Sequence, residues 1–138
     1  MSGKLLPNPT PETRIYWEKT ALNELWMPYC QTDGWVFPPR FHCPTCASTE
    51  FEWRQLSGRG TIASFIITHR GGAGYQDEVP YFIILVDLEE GPRLVGNLYG
   101  VPVEPTAVEV GMPVEVFFEL RDGIHLPQWR PAGSKVTI

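Results

Sequence analysis

The sequence contains no long hydrophobic run. No apolar stretch approaches the roughly 20 residues that a membrane-spanning helix requires. The N-terminal segment also lacks the combination of a positive region, an apolar core and a small-residue cleavage site that marks a secretory signal. We therefore expect neither insertion into a membrane nor export.

Basic residues are also scarce. Lysine and arginine number 11 against 16 acidic residues, which gives a net charge of −5 at pH 7 and a sequence pI of about 5.1. Nucleic-acid-binding proteins neutralise phosphates with clustered lysine and arginine, and much of their affinity depends on these contacts. Here the basic residues are scattered, so nucleic acid is not an expected partner.

Cysteine is limited to three residues, all between positions 30 and 46. An odd number of closely spaced cysteines makes a poor disulfide framework. The same spacing is typical of metal ligation in a reducing compartment. We therefore expect a cytoplasmic location.

The composition is that of a folded domain, with 43% hydrophobic and 20% charged residues in 138 positions. Residues 1–9 form an irregular lead-in that contains two prolines. Apolar residues then recur at roughly helical spacing, with Thr10 as a suitable N-cap and Pro11 at the first helical position. These apolar residues are Ile15, Leu22, Leu25 and Trp26. This pattern predicts one helix of about four turns that ends at Pro28.

Strand patterns dominate after residue 57. β-branched and aromatic residues recur in SGRGTIASFIITHR, in both halves of PYFIILVDLEEGPRLVGNLYG and in MPVEVFFEL, and LPQWRPA can supply a closing strand. About five strands in a small domain favour a closed barrel, because closure removes free strand edges. The predicted fold is mainly β: an N-terminal lead-in and helix (1–28), a zinc-ribbon-like hairpin module (29–53) and a five-stranded OB-fold barrel (54–138). An open sandwich is the alternative to the barrel.

The ribbon prediction comes from residues 29–46, YCQTDGWVFPPRFHCPTC. Two knuckles, Cys30-x-x-Asp33 and Cys43-x-x-Cys46, each present two side chains from one tight turn. Two such turns complete a tetrahedral zinc site, in which a fourth cysteine is more usual than an aspartate.

Three interpretations of this segment are open. In the first, Asp33 is the fourth ligand through a carboxylate oxygen, and the zinc is structural. In the second, no metal binds and aromatic packing holds the ribbon together. The aromatic residues concerned are Trp35, Phe37, Phe41, Phe51 and Trp53. In the third, His42 or a water molecule completes the site.

Three arginines stand in loop settings suited to phosphate, because a guanidinium group can bind two phosphate oxygens at once. They are Arg40 in PPR, Arg59 in SGRG and Arg70 beside the glycine-rich segment GGAG. The alternative is that Arg40 and Arg59 cap carbonyl groups or pair with the excess acidic residues, and that Arg70 belongs to a polar strand end followed by a mobile hairpin loop. The sequence shows no Ser/His/Asp order, no cysteine with a histidine placed as its base, and no close pair of carboxylates in an apolar setting. The residues alone therefore indicate a binding or scaffold module rather than a self-sufficient enzyme.

Several motifs together resemble one family. The ribbon with its PPR and CP-x-C elements, the strand start SGRGTI and the turn EGPRL are similar to the acyl-CoA-associated family called domain of unknown function 35. The resemblance covers nearly the whole chain from about residue 10. It implies a rubredoxin-like zinc ribbon joined to an OB-fold, with the family's ribbon ligands at Cys30, Cys43, Cys46 and position 33. Asp33 is a departure from the family pattern.

The same resemblance implies a function. Members of that family accompany thiolase-fold enzymes as a second subunit, and the partner carries the catalytic groups. The chain is therefore expected to be a non-catalytic accessory subunit of a thiolase- or aldolase-type complex. The expected ligand of that complex is a coenzyme A thioester, a β-oxoacyl-CoA with an aromatic or bulky acyl group. The alternative is a stand-alone OB-fold module that binds a small ligand or a single strand.

Two sets of residues have expected roles in such a complex. Coenzyme A phosphates would meet local arginines of this chain or of its partner, and the candidates in this chain are Arg40, Arg59 and Arg70. Aromatic residues dominate interface hot spots, and exposed aromatics of the predicted helix would dock on the partner. These aromatics are Tyr16, Trp17 and Trp26.

Overall fold

The computed structural model describes residues 4–136. Within that range lie one α-helix, eight β-strands and a short 3₁₀ helix at Pro105–Ala107. The elements are α1 (Arg14–Thr20), β1 (Leu25–Cys30), β2 (Gly34–Trp35), β3 (Phe51–Leu56), β4 (Arg59–Thr68), β5 (Tyr81–Leu88), β6 (Arg93–Leu98), β7 (Pro113–Arg121) and β8 (Ile124–Pro131). No helix in the described residues has the length and apolar character needed to cross a membrane.

The first three strands form the sheet of the ribbon. Their order is β2–β1–β3, and both pairings are antiparallel. β1 pairs with β3 along its whole length, from Leu25 opposite Leu56 to Cys30 opposite Phe51. The connection between β2 and β3 carries the second cysteine pair back beside the end of β1.

The last five strands close into a barrel in the order β4–β5–β6–β8–β7. Neighbouring strands are antiparallel except β6 and β8, which meet in parallel at Leu98 and Trp129. A bulge between Ile62 and Ser64 bends β4, which pairs with β7 at its start and with β5 along most of its length. This barrel is of the OB-fold type, so the predicted fold class is confirmed.

The predicted helix over residues 10–28 is too long. α1 ends at Thr20, and Asn23 adopts a left-handed φ of 62°. The residues from Leu25 onward form β1, because Leu25 and Met27 bury alternate side chains at 2% and 0% exposure while their backbone pairs with β3. Leu22, which helical spacing placed on the apolar face, is 63% exposed. Strand pairing with a distant segment thus overrides the local helical pattern.

One hydrophobic core runs through both sheets. It includes Leu25 and Met27 from β1, Leu56 from β3, and Phe82 and Trp129 from the barrel. Phe82 and Trp129 are both 0% exposed. The ribbon sheet and the barrel are therefore packed as one unit. β1 and β3 run across the boundaries expected at residues 28 and 53.

Two residues, Ser57 and Gly58, connect the ribbon sheet to the barrel. The Ser57 N–H donates to a Glu90 carboxylate oxygen at 2.7 Å, and the Gly58 carbonyl accepts from the Val116 N–H at 2.8 Å. Gly58 has a φ of 77°, and a Cβ there would lie 2.5 Å from Val116 Cγ1. The link is short, and both of its residues are held by the barrel.

The aromatic residues that we expected to dock on a partner are not fully exposed. Tyr16 is 5% exposed and belongs to the core, with its ring centroid 4.9 Å from that of Trp17 and 5.8 Å from that of Phe37. Trp26 lies on β1, and its indole N–H donates to Glu24 at 2.8 Å. The expectation was wrong for Tyr16 because α1 packs against β1 and β8.

A charged network is buried at one side of the barrel. Arg121 donates to both carboxylate oxygens of Glu119 at 3.0 Å, and the two residues are 6% and 8% exposed. Gln128 donates to the same carboxylate at 3.0 Å, and Arg121 also donates to the Tyr75 hydroxyl at 3.1 Å. A buried charge needs its partner, so this network ties the loop before β5 to β7 and β8.

A substitution of Gly60 tests how closely the backbones of β4 and β5 approach each other. A Cβ at Gly60 would lie 2.4 Å from the Asp87 carbonyl oxygen and 2.7 Å from Val86 Cγ1, whereas a Cβ at Gly72 meets no atom within 4 Å. We expect Gly60→Ala to lower the free energy of unfolding by about 1–3 kcal/mol, because the strands must move apart. Gly72→Ala, the matched control, should change it by less than about 1 kcal/mol. Denaturant titration followed by circular dichroism measures both values, and equal effects would contradict the strand geometry.

Candidate metal centre

The candidate metal ligands come from two turns. Cys30 is the last residue of β1, and Asp33 follows in the tight turn to β2. Cys43 and Cys46 lie in a second turn, which is closed by short-range backbone hydrogen bonds. The pairing of β1 with its neighbours places the first turn beside the second.

The four side chains converge. The Sγ atoms of Cys30 and Cys46 are 3.7 Å apart, and Asp33 Oδ2 lies 3.3 Å from Cys43 Sγ and 3.8 Å from Cys30 Sγ. All four ligand atoms lie within 4.8 Å of one another. Zinc–sulfur bonds of about 2.3 Å and zinc–oxygen bonds of about 2.0 Å give tetrahedron edges of about 3.8 Å between sulfurs and about 3.5 Å between sulfur and oxygen. The cluster therefore fits a tetrahedral zinc ion.

The cluster has a buried side and an exposed side. Cys30 and Cys43 are 1% and 3% exposed and pack against Phe51. Asp33 and Cys46 are exposed to solvent. Two ligands are thus fixed by the interior of the ribbon, and the other two close the site from outside.

The carboxylate and the thiols of the cluster are hydrogen-bonded to one another. Hydrogen bonds from Cys46 and Cys43 lower the pKa of Asp33, and the Asp33 carboxylate raises the pKa of Cys46 to about 12. Because a zinc ligand must be a thiolate, zinc has to displace the Cys46 proton. Metal binding at this cluster therefore releases protons and weakens as the pH falls.

The other two interpretations of the ribbon depend on His42 or on aromatic packing, and the structure places those residues mostly away from the four-residue cluster. His42 is exposed and lies outside the four-residue cluster. Among the ribbon aromatics in residues 4–136, Phe51 packs against the buried cysteines, whereas Phe41 is 59% exposed and Phe37 packs against Tyr16. Trp35 and Trp53 pack against the main core, so the aromatic packing at the buried cysteines comes from Phe51.

The three candidate phosphate-binding arginines are not brought together. Arg40 lies in the ribbon loop, Arg59 begins β4, and Arg70 follows the opposite end of that strand. Arg59 is already held by Glu89, at 3.1 Å and 3.3 Å. Of the eight arginines in the sequence, Arg40 and Arg70 are the two without an ion pair to a described residue. These two are the most available to an external phosphate.

The fold and the cluster together define a class of protein, a cysteine-rich metal ribbon fused to an OB-fold barrel. Family models agree with both parts. Residues 17–52 match the rubredoxin-like zinc ribbon domain of ChsH2, and residues 53–119 match the C-terminal OB-fold domain of ChsH2. The chain belongs to this family, DUF35, as the sequence motifs predicted.

Individual relatives resemble the chain over much of its length. The structure described as the Ltp2–ChsH2(DUF35) aldolase matches with a TM-score of 0.80 and 32% identity, covering 92% of this chain and 99% of that chain. A DUF35 domain-containing scaffold protein of Methanocaldococcus jannaschii is 38% identical over 91 residues, 64% of this chain and 63% of the relative. Benzoylsuccinyl-CoA thiolase subunit BbsA of Thauera aromatica is 35% identical over 95 residues, 68% of this chain and 65% of the relative. The matches thus span just under two thirds of these two relatives.

Substitution of Asp33 tests whether its carboxylate is the fourth ligand. We expect the purified protein to contain about one equivalent of zinc, and Asp33→Ala to weaken zinc binding by at least about tenfold. Asp33→Cys replaces an oxygen ligand by sulfur, so the cobalt(II)-loaded variant should show stronger thiolate-to-metal charge-transfer absorption. Metal analysis and absorption spectroscopy measure both effects.

Asp77→Ala is the matched control, because Asp77 is an exposed carboxylate in the loop before β5. It should change neither the zinc affinity nor the cobalt spectrum. Zinc below about a tenth of an equivalent, or identical cobalt spectra for the parent and Asp33→Ala, would exclude Asp33 as a ligand.

Proposed function

We propose that this chain is a non-catalytic accessory subunit of a thiolase- or aldolase-type complex that acts on an acyl-CoA. The observation that supports this most directly is its likeness, over 92% of its length, to a chain of the Ltp2–ChsH2(DUF35) aldolase. The relative BbsA is named as a subunit of benzoylsuccinyl-CoA thiolase. By analogy, the proposed ligand of the complex is a β-oxoacyl-CoA with an aromatic or bulky acyl group.

The partner subunit supplies the catalytic groups in this proposal. The three cysteines of the chain hydrogen-bond to one another and to Asp33, not to a histidine that could act as a base. Buried Glu119 and Arg121 satisfy each other as an ion pair. The chemistry of the described residues is therefore that of a scaffold, which holds the partner's acyl-CoA site in shape.

Zinc has a structural role in this proposal. Cys30, Asp33, Cys43 and Cys46 would hold it, and when bound it would cross-link the end of β1 to the loop that carries the second knuckle. A catalytic zinc keeps one position open for water or substrate. Four side chains would occupy the vertices here, so the ion would fix the ribbon rather than activate a substrate.

Arg40 and Arg70 are the proposed contacts for the phosphates of coenzyme A. Both are exposed, and a chain of net charge −5 needs local cations to hold a polyanion. Arg59 would have to exchange its carboxylate partner Glu89 for a phosphate. We therefore rank Arg59 below the other two.

The proposal places the complex in the cytoplasm, where the three free thiols stay reduced. It assigns no role to nucleic acid. Binding of single strands requires a basic groove with stacking aromatics. Six of the eight arginines are instead paired with carboxylates of the chain itself.

Co-expression with the candidate thiolase-fold partner tests the accessory role. With a tag on the partner alone, we expect this chain to copurify and the partner to have higher yield and higher acyl-CoA activity than when expressed alone. Size-exclusion chromatography and a thiolysis or retro-aldol assay measure both effects. A partner that is fully stable and active alone would contradict the proposal.

Replacement of the free arginines tests the coenzyme A contact. In the assembled complex, Arg40→Ala and Arg70→Ala should each raise KM for the acyl-CoA by about tenfold or more, because each removes a charge-assisted hydrogen bond. Neither should affect an acyl-pantetheine substrate, which lacks the nucleotide phosphates. Arg14→Ala is the matched control, since Arg14 is 71% exposed and its ion pair lies within α1. Equal effects on both substrates would reject phosphate binding.

A further inference from the structure

A groove of about 510 Å³ runs between the two modules, and we call it the junction groove. Tyr16, Trp17 and Phe37 line it on the side of the helix and ribbon, and Ile83 and Val95 line it on the side of the barrel. Pockets for small organic molecules usually have volumes of about 300–1,000 Å³ and often lie where domains meet. The junction groove has both properties.

The hydroxyl group of Tyr16 has no hydrogen-bond partner among the described residues, although the residue is only 5% exposed. In the part of the chain that the structure describes, the fully buried side-chain polar atoms without a partner are His125 Nδ1 and Trp129 Nε1, so the Tyr16 hydroxyl keeps some accessible surface. Because Tyr16 lines the junction groove, that surface opens into it.

The protonation state of Tyr16 defines what this hydroxyl can bind. Burial raises the pKa of Tyr16, so the phenol stays protonated at neutral pH. It therefore presents an O–H donor to the groove. Water that enters the groove can accept this hydrogen bond, and a ligand that displaces the water has to supply an acceptor atom in its place.

The other deeply buried groups of the groove need nothing from a ligand. Leu94 is apolar. Gln128 donates from Nε2 to Glu119 at 3.0 Å and accepts at Oε1 from the Asn97 N–H at 2.8 Å. Asn97 Nδ2 donates in turn to the Phe82 carbonyl at 2.9 Å. Tyr16 is thus the one deeply buried lining residue, within positions 4–136, whose polar group has no hydrogen-bond partner in the protein.

The walls of the junction groove are mainly apolar, with a cluster of aromatic residues on one side. Arg93 is the one charged residue among the described lining residues, and it pairs with Asp87 while remaining 61% exposed. The Tyr16 ring contacts the rings of Trp17 and Phe37. Aromatic side chains of this kind pack favourably against other rings, in edge-to-face or offset arrangements. The occupant of these walls should therefore be an uncharged ring system.

We propose that the junction groove binds an uncharged, mainly apolar ring compound that carries a carbonyl oxygen. The rings lie between the aromatic wall and the barrel wall, and the carbonyl oxygen accepts a hydrogen bond from the Tyr16 hydroxyl. Every residue of this site belongs to the present chain. The inference therefore goes beyond the accessory role, and it is testable without the catalytic partner.

The test uses a matched pair of probes, 2-acetylphenanthrene and 2-ethylphenanthrene, which differ in the carbonyl group. Each is titrated into the isotopically labelled full chain, and binding is followed by NMR. We expect shifts confined to the groove, at the Trp17 indole N–H and the Ile83 methyl groups. Tyr16→Phe should weaken binding of the ketone by about three- to tenfold and leave binding of the hydrocarbon unchanged.

Two surface substitutions provide a second arm that does not touch the core. Val95 lines the groove and is 64% exposed, so Val95→Trp should fill the groove and abolish binding of both probes. Val110 is 66% exposed and does not line the groove, so Val110→Trp should have no effect. Circular dichroism confirms that each variant is folded.

The proposal would be overturned by shifts outside the groove, by an equal loss for both probes in Tyr16→Phe, or by binding that survives Val95→Trp. A folded chain that binds neither probe would also overturn it. If that chain still copurifies with the partner and the complex protects the groove from hydrogen exchange, the groove is part of the subunit interface and the accessory role stands. Probe binding without copurification would support the groove proposal and contradict the accessory role.

Discussion

The pairing of β1 with β3 is the interaction on which the rest of the structure depends. Its six residue pairs run from Leu25 and Leu56 at one end to Cys30 and Phe51 at the other. Five residue steps of about 3.4 Å place those ends about 17 Å apart. The first end lies in the core shared with the barrel, and the second carries the first candidate metal ligand. One short ladder thus sets both the distance and the orientation between the cysteine cluster and the barrel.

The sequence predicts the features that depend on local patterns. The barrel strands are rich in β-branched and aromatic residues, and β5 shows the clearest alternation between buried and half-buried positions. The two knuckles are also local, and the structure brings their four side chains within 4.8 Å of one another. The end of α1 is different, because Leu22, Leu25 and Trp26 fit a helical spacing, whereas Leu25 and Met27 fit an alternating one. Their state is decided by β3, a segment that begins more than 20 residues later.

Other features could not be predicted because they depend on contacts between distant segments. Glu119 and Arg121 lie on the polar side of an alternating strand, and only the loop that carries Tyr75 shows that this side is covered. Tyr16 and Val95 line the same groove although they are far apart in the sequence. No sequence motif around either residue predicts that the two lie close together. The arginines show a similar limit, since a sequence does not reveal that six of the eight are paired with carboxylates of the same chain. The charge that remains available to a ligand is therefore much smaller than the count of basic residues implies.

The link at Ser57 and Gly58 has a mechanical consequence. With two residues between β3 and β4, both hydrogen-bonded to the barrel, the chain has no hinge at the point where a two-module protein would normally bend. A protein that binds the ribbon therefore also fixes the orientation of the barrel. In the same way, a protein that binds the barrel fixes the orientation of the ribbon. We therefore expect the chain to act as a spacer that holds a fixed angle between a protein bound at the ribbon and one bound at the barrel.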